Sequence, residues 1–143
     1  MIVKAILAAK SGDVVSIEPT ADLSAAAKLL VSRRIGAVVI LGPGGRLAGI
    51  LSERDIMRAV SEHGESALSL PIAQFMTRNV ETCGEEDSCA SLMERMTEGK
   101  FRHLPVVTQG KLVGIVSIGD VVKQRVDEIE RESEAMREYI RTA

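Results

Sequence analysis

The stretch Gly49-Ile50-Leu51-Ser52-Glu53-Arg54-Asp55-Ile56 decides how this chain is read, because a close copy returns as Gly114-Ile115-Val116-Ser117-Ile118-Gly119-Asp120-Val121. In each copy an apolar run ends at a serine, an aspartate follows three positions later, and an amphipathic segment begins. That is the pattern of a strand running directly into a helix. Ser-x-x-Asp at such a junction has two readings. As a capping box, the serine accepts from the amide of the third helical residue, the aspartate reaches back, and its charge offsets the helix dipole. As a ligand seat, the free amides and positive dipole end attract a phosphate while the carboxylate accepts from a ribose diol. Arg54 adds a cation for an anion in the first copy.

Outward from these junctions the plan is the same in both halves. Asp13 to Ile17 is a short β-branched run that Glu18-Pro19-Thr20 closes, since proline cannot continue an inner strand. A helix capped by Asp22 follows, with Leu23, Ala26, Ala27, Leu30 and Val31 facing inward, and then an apolar strand over Ala37 to Leu41. Gly42-Pro43-Gly44-Gly45 turns that strand into a hairpin with Arg46 to Leu51; it is no phosphate loop, because no Gly-Lys-Ser/Thr opens a helix there. After Ser52 a helix carries Ile56, Ala59 and Val60 inward and stops near His63-Gly64.

In the second half, Asn79 to Thr82 answers the first strand, Ser88 to Glu98 the first helix, and Leu104 to Thr108 with Lys111 to Val116 the hairpin. The copies are offset by 66 positions before the hairpin turn and 65 after it. Two copies of this length predict an α+β fold of two pseudo-twofold-related β-α-β-β-α repeats packed through their sheets. The expected boundaries are 5–64 for the first repeat, 65–78 for a connector, 79–126 for the second repeat and 127–143 for a helical extension. In that extension Val122, Val126, Ile129, Ser133, Met136 and Ile140 fall at alternating four- and three-residue steps. This is either a solvated helix lying on its own domain or a helix engaging a second subunit.

Composition excludes several classes. Hydrophobic residues make up 45% of the chain but aromatics only 2%, so the core is aliphatic and little remains for stacking nucleobases. A net charge of −2 provides no general field for a polyanion or an acidic bilayer, so neither nucleic acid nor membrane is an expected partner. Cys83 and Cys89 lack zinc-ligand spacing and read as reduced, partly buried thiols; no metal site is expected. Met1 to Ala9 is interrupted by Lys4 and reads as an ordered segment of a cytoplasmic protein. Lys10, Arg33, Arg34, Arg78 and Arg102 read first as solvated surface, and His103 as bonded to backbone. Met57, Met76, Met93 and Met96 read as core filler.

The repeated Gly-h-h-Ser-x-x-Asp, preceded by Arg102-His103-Leu104-Pro105-Val106-Val107 in one half and Ile35-Gly36-Ala37-Val38-Val39-Ile40 in the other, resembles a tandem pair of CBS domains, the Bateman module, over roughly Ala5 to Val126. The resemblance, which is to stand-alone bacterial CBS-pair proteins, implies regulatory binding of AMP, ADP, ATP, NAD or S-adenosylmethionine in the cleft between the halves. It implies no catalysis. Asp55 and Asp120 would hold ribose hydroxyls, with Ser52 and Ser117 as hydroxyl donors. Val15, Ser16 and the Gly36-Ala37-Val38 backbone would line one base pocket, and Thr82, Arg102, His103 and Pro105 the other. Gly119 stands where the first copy has Arg54, so the Arg54 side is expected to suit a phosphate better. Gly119 itself either permits close approach of a ligand or is merely tolerated. A homodimeric nucleotide sensor with an unidentified regulated partner is the first expectation. A ligand-independent assembly module, in which both motifs are only caps, is the second, and an enzyme using Cys83 or Cys89 with His103 the third.

Overall fold

The computed structural model of the chain describes residues 2–10 and 14–142. Met1, Asp13 and Ala143, which begin or end segments assigned above, lie outside the described residues. In chain order the elements are α1 (Val3–Ala9), β1 (Ser16–Ile17), α2 (Leu23–Arg33), β2 (Ala37–Leu41), β3 (Leu47–Ser52), α3 (Glu53–His63), α4 (Cys89–Gly99), β4 (His103–Thr108), β5 (Lys111–Ser117) and α5 (Ile118–Thr142). The fold is α+β, with two small sheets and a long C-terminal helix. Two compact units form: Asp13–Glu81, and Met1–Gly12 together with Thr82–Ala143. The helix α1, numbered within the expected first repeat, thus belongs to the second unit, where Val3 N donates to Asp87 O at 2.8 Å and Val3 and Ile6 are buried in its core.

In the first unit the order β1-β2-β3 pairs β1 parallel and β3 antiparallel to β2. The helix α2 begins where the Asp22 side chain accepts from Ala25 N at 2.8 Å, and it ends at Arg34 in the left-handed region at φ 55°. Its buried stripe is Leu23, Ala26 and Leu30. Val31 and Val60, expected inside, are 79% and 40% exposed, and Met57, expected as core filler, is 69% exposed. Each helix covers only one face of a three-stranded sheet, so its inward stripe is narrower than its run of apolar residues. Met76 and Met96 do fill the cores.

In the second unit β4 and β5 form a hairpin whose two-residue turn, Gln109 and Gly110, has φ of 52° and 77°. Both central residues at positive φ is the primed geometry that matches strand twist. Ser88 caps α4 by accepting from Ser91 N at 3.1 Å. The strand expected over Asn79 to Thr82 does not form, and Cys83 alone bridges in parallel to Val106. Proline explains the difference. In the first unit Val39 N donates to Val15 O at 3.4 Å, but the residue 66 positions after Val39 is Pro105, which has no N–H to give.

The repeated glycines of the motif have a packing cause. A Cβ at Gly49 would lie 2.7 Å from Thr77 O, and one at Gly114 would lie 2.6 Å from Leu7 Cδ2. Each β-strand is crossed there by a segment from outside its own hairpin. Beyond Glu128 every described residue of α5 is exposed, so the helix does not lie along its own unit.

Candidate functional site

Each unit builds one strand-to-helix junction, held by a backbone bond to the start of the neighbouring strand. Glu53 N donates to Gly36 O at 3.0 Å, and Ile118 N donates to Arg102 O at 2.8 Å. Ser52 and Ser117 therefore stand at the ends of β3 and β5 with the first amides of α3 and α5 beside them.

In the first unit the capping box is complete. Ser52 N donates to Asp55 Oδ2 at 2.8 Å, Ser52 Oγ donates to the same oxygen at 3.1 Å, and Asp55 N donates to Ser52 Oγ at 3.3 Å. Asp55 is 6% exposed, and its Oδ1 lies 3.4 Å from the Arg58 guanidinium. Ala37 pairs with Ser52, and Ser16 pairs with Val39, so β1 and the Gly36–Val38 backbone lie on strands adjacent to the junction. Val38 is fully buried, which leaves only its backbone for a ligand, while Ser16 is exposed and Val15 half-buried. Arg54 is exposed. A groove of about 470 Å³ runs between α2 and α3, but of the expected site residues it includes only Gly36. Its walls are Leu30, Val31, Ile56 and Met57, flanked by Arg34 and Glu53.

In the second unit Ser117 N donates to Asp120 Oδ2 at 2.9 Å and Asp120 N donates to Ser117 Oγ at 3.2 Å. Here a cation arrives from far along the chain. Lys10 Nζ donates to Asp120 Oδ2 at 2.8 Å and to Ile115 O at 2.9 Å. Burial opposes ionisation of Asp120, but the hydrogen bonds from Lys10 and the Ser117 backbone, with the lysine charge, outweigh it and hold the carboxyl below its ordinary value. The Asp120 side chain is 24% exposed. Its Oδ1 takes no hydrogen bond from any described residue. A Cβ at Gly119 would meet only Ser117 Oγ at 3.6 Å, so packing does not require glycine there. His103 is half-buried and pairs across the hairpin with Ser117, Arg102 is exposed, and Pro105 is buried. Thr82 accepts from the Arg95 guanidinium through its carbonyl at 2.8 Å.

Two cations beside these carboxylates were not assigned to the site from the sequence. Arg58 was legible as an i,i+3 partner of Asp55. Lys10, read as solvated surface, lies 110 positions from Asp120, and nothing local signals that pairing. The cation that the second copy loses at Gly119 is thus replaced from α1's C-terminal end. Both thiols are free and buried. Burial, then the Asp87 charge, pushes Cys83 up to about 11, where it is a protonated, poor nucleophile. Among the described residues no group of three or more His, Cys, Asp or Glu side chains could hold a metal ion, and no helix is long and apolar enough to cross a membrane.

The doubled junction, with an acidic cap and a nearby cation in each half, defines a tandem architecture of two like strand-to-helix repeats. The chain belongs to the CBS domain family, whose model matches residues 3–62 and 72–127. It is similar to a solved CBS-domain containing protein from Agrobacterium tumefaciens, at 44% identity and a TM-score of 0.84, covering 87% of this chain and 92% of that one. The CBS domain pair of protein MJ0100, in complex with 5-methylthioadenosine and S-adenosyl-L-methionine, matches at 27% identity and a TM-score of 0.79, covering 90% and 98%. A CBS domain protein from Pyrobaculum aerophilum complexed with AMP matches at 28% identity and a TM-score of 0.75, covering 84% and 89%. The chain is 35% identical over 119 residues to a mitochondrial CBS domain-containing protein of Arabidopsis thaliana, covering 80% of this chain and spanning 58% of that relative's length.

Proposed function

We propose that this chain is a non-catalytic regulatory module that binds an adenosine ligand (AMP, ADP, ATP, NAD or S-adenosylmethionine) at its Ser-x-x-Asp junctions. It acts as a cytoplasmic homodimer and passes ligand occupancy to its own assembly or to a regulated protein. The observation that carries this reading is the Asp120 carboxylate, which is fixed at a helix N-terminus by one oxygen, takes no hydrogen bond from any described residue on the other, and has the Lys10 ammonium beside it. A ribose diol donates to such an oxygen, and a phosphate finds both the helix amides and the lysine. The adenine rests on backbone and aliphatic walls: Val15, Ser16 and Gly36 to Val38 in one half, Thr82, Arg102, His103 and Pro105 in the other. The solved relatives in complex with AMP and with S-adenosyl-L-methionine support this ligand class. Regulation requires that the ligand bind two states unequally.

Thermal and urea unfolding with AMP, ATP, NAD, S-adenosylmethionine and 5-methylthioadenosine tests the reading. A ligand at 100 times its dissociation constant adds about 2.7 kcal/mol of stability. A second reading, a ligand-independent assembly module, is favoured by Asp55, which is nearly inaccessible and spends Oδ2 on its cap. No shift with any of the five ligands selects that second reading.

A further inference from the structure

We infer that Lys10 is a specificity-determining residue of the second unit's junction: a ribose displaces its ammonium from Asp120, so the junction selects adenosine ligands whose 5′ end carries an anion to receive that ammonium. The inference rests on the adenosine reading above and narrows its ligand class to 5′-phosphates over neutral nucleosides. An ionised carboxylate offers about four lone-pair sites, two on each oxygen. In Asp120, Oδ2 already accepts from Ser117 N at 2.9 Å and from Lys10 Nζ at 2.8 Å, while Oδ1 takes no hydrogen bond from any described residue. The two hydroxyls of a ribose diol lie side by side, as the two carboxylate oxygens do, so a paired contact needs a free site on each oxygen. One donor must therefore leave Oδ2.

Ser117 N is held in place, since Ser117 ends β5 and its hydroxyl also accepts from Asp120 N at 3.2 Å. Lys10 is the donor that can go. Its side chain is 39% exposed on a flexible four-carbon stem, and Ile115 O at 2.9 Å is a second acceptor that the ammonium can keep as it turns. An ammonium turned off its carboxylate loses its counter-charge, and a neutral nucleoside returns none. A 5′-phosphate does, at a helix mouth whose amides already favour an anion. Gly119 leaves the approach open, because even a Cβ there would meet only Ser117 Oγ. The first unit has no equivalent exchange. There Asp55 Oδ2 accepts from Ser52 N and from the neutral Ser52 hydroxyl, so the donor free to leave strands no charge, and Arg58 reaches only Oδ1, at 3.4 Å.

Calorimetric titration of the full chain with AMP and with 5-methylthioadenosine, which has the same ribose diol and no 5′ charge, tests the inference in the parent and in Lys10→Met. An ion pair this exposed is worth at most about fivefold in an equilibrium. Lys10→Met is therefore expected to tighten 5-methylthioadenosine, by no more than that factor, because the ribose no longer displaces a cation. AMP loses a charge-assisted hydrogen bond and is expected to weaken, so that the preference for AMP falls at least about tenfold. Asp120→Ala combined with Lys10→Met is expected to bind 5-methylthioadenosine no more tightly than Asp120→Ala alone, since nothing is left to displace. An AMP preference unchanged in Lys10→Met overturns the inference. So does a loss of affinity for both ligands by the same factor, which a merely structural lysine would produce, and so does a tightening that persists without Asp120. Each of these leaves the adenosine reading intact. A parent chain that binds neither ligand overturns that reading and the inference with it, so the parent titration tells the two failures apart.

Discussion

Asp55 and Asp120 occupy the same place in the same repeated motif, yet one is 6% exposed beside Arg58 and the other keeps a side chain 24% exposed beneath Lys10. The same contrast holds one turn earlier: Gly49 makes room for the backbone of Thr77, and Gly114 makes room for the tip of Leu7. Both pairs teach that a copied motif fixes the local cap but not what lies over it. In the first unit the covering segment follows the junction in sequence, and in the second it comes from α1, more than 100 positions before Gly114.

The largest break in this symmetry is expected at the glycines. Gly49→Ala pushes a methyl group into Thr77 O, which cannot yield because Ile50 and Thr77 exchange two backbone hydrogen bonds at 3.0 and 2.9 Å. A loss of about 1–3 kcal/mol follows from such overpacking. Gly114→Ala meets the end of a flexible side chain and is expected to lose visibly less. Urea denaturation of both variants measures the gap, and equal losses would dissolve the contrast.

The aspartates come next. Asp55→Ala strands the part-buried Ser52 N–H and removes a cap, so a loss near the upper end of about 0.5–2 kcal/mol is expected, with Asp120→Ala nearer the lower end. Nucleotide affinity is expected to run the other way, falling more in Asp120→Ala, whose oxygen is the more accessible. Calorimetric titration beside the melts of each variant checks both orders at once.

Lys10→Met is the smallest. A half-exposed ion pair is worth about 0–1 kcal/mol at neutral pH. Its signature is in acid. Because the folded carboxyl of Asp120 sits below its ordinary value near 3.8, its stabilising contribution is complete above that value and is lost as pH falls through the lower folded one. Removing the lysine hydrogen bond shrinks that acid-dependent loss. Unfolding midpoints taken down to about pH 2 are expected to converge for the parent and Lys10→Met. Parallel curves would show that Lys10 does not hold the carboxylate.

Residue by residue, the elements were legible where the signal is local. Asp22 and Ser52 cap the helices that they were expected to cap, Ser88, read as the first residue of its helix, is that helix's cap, and Gly42 to Gly45 turns the first hairpin as read. The Ser-x-x-Asp pairs close their boxes in both halves because every bond in them spans three residues. The second unit's missing first strand was legible in principle, since Pro105 lacks the donor that its counterpart Val39 supplies.

What the sequence determined by itself is therefore the repeated order of strands and helices, the caps, and membership in a tandem family, all set by interactions within a few positions of chain. Only the tertiary structure decided that α1 joins the second unit, that Lys10 reaches Asp120, and that Val31 and Met57 face outward. Those outcomes turn on which surfaces meet across long stretches of chain, and neither periodicity nor propensity encodes such a distance.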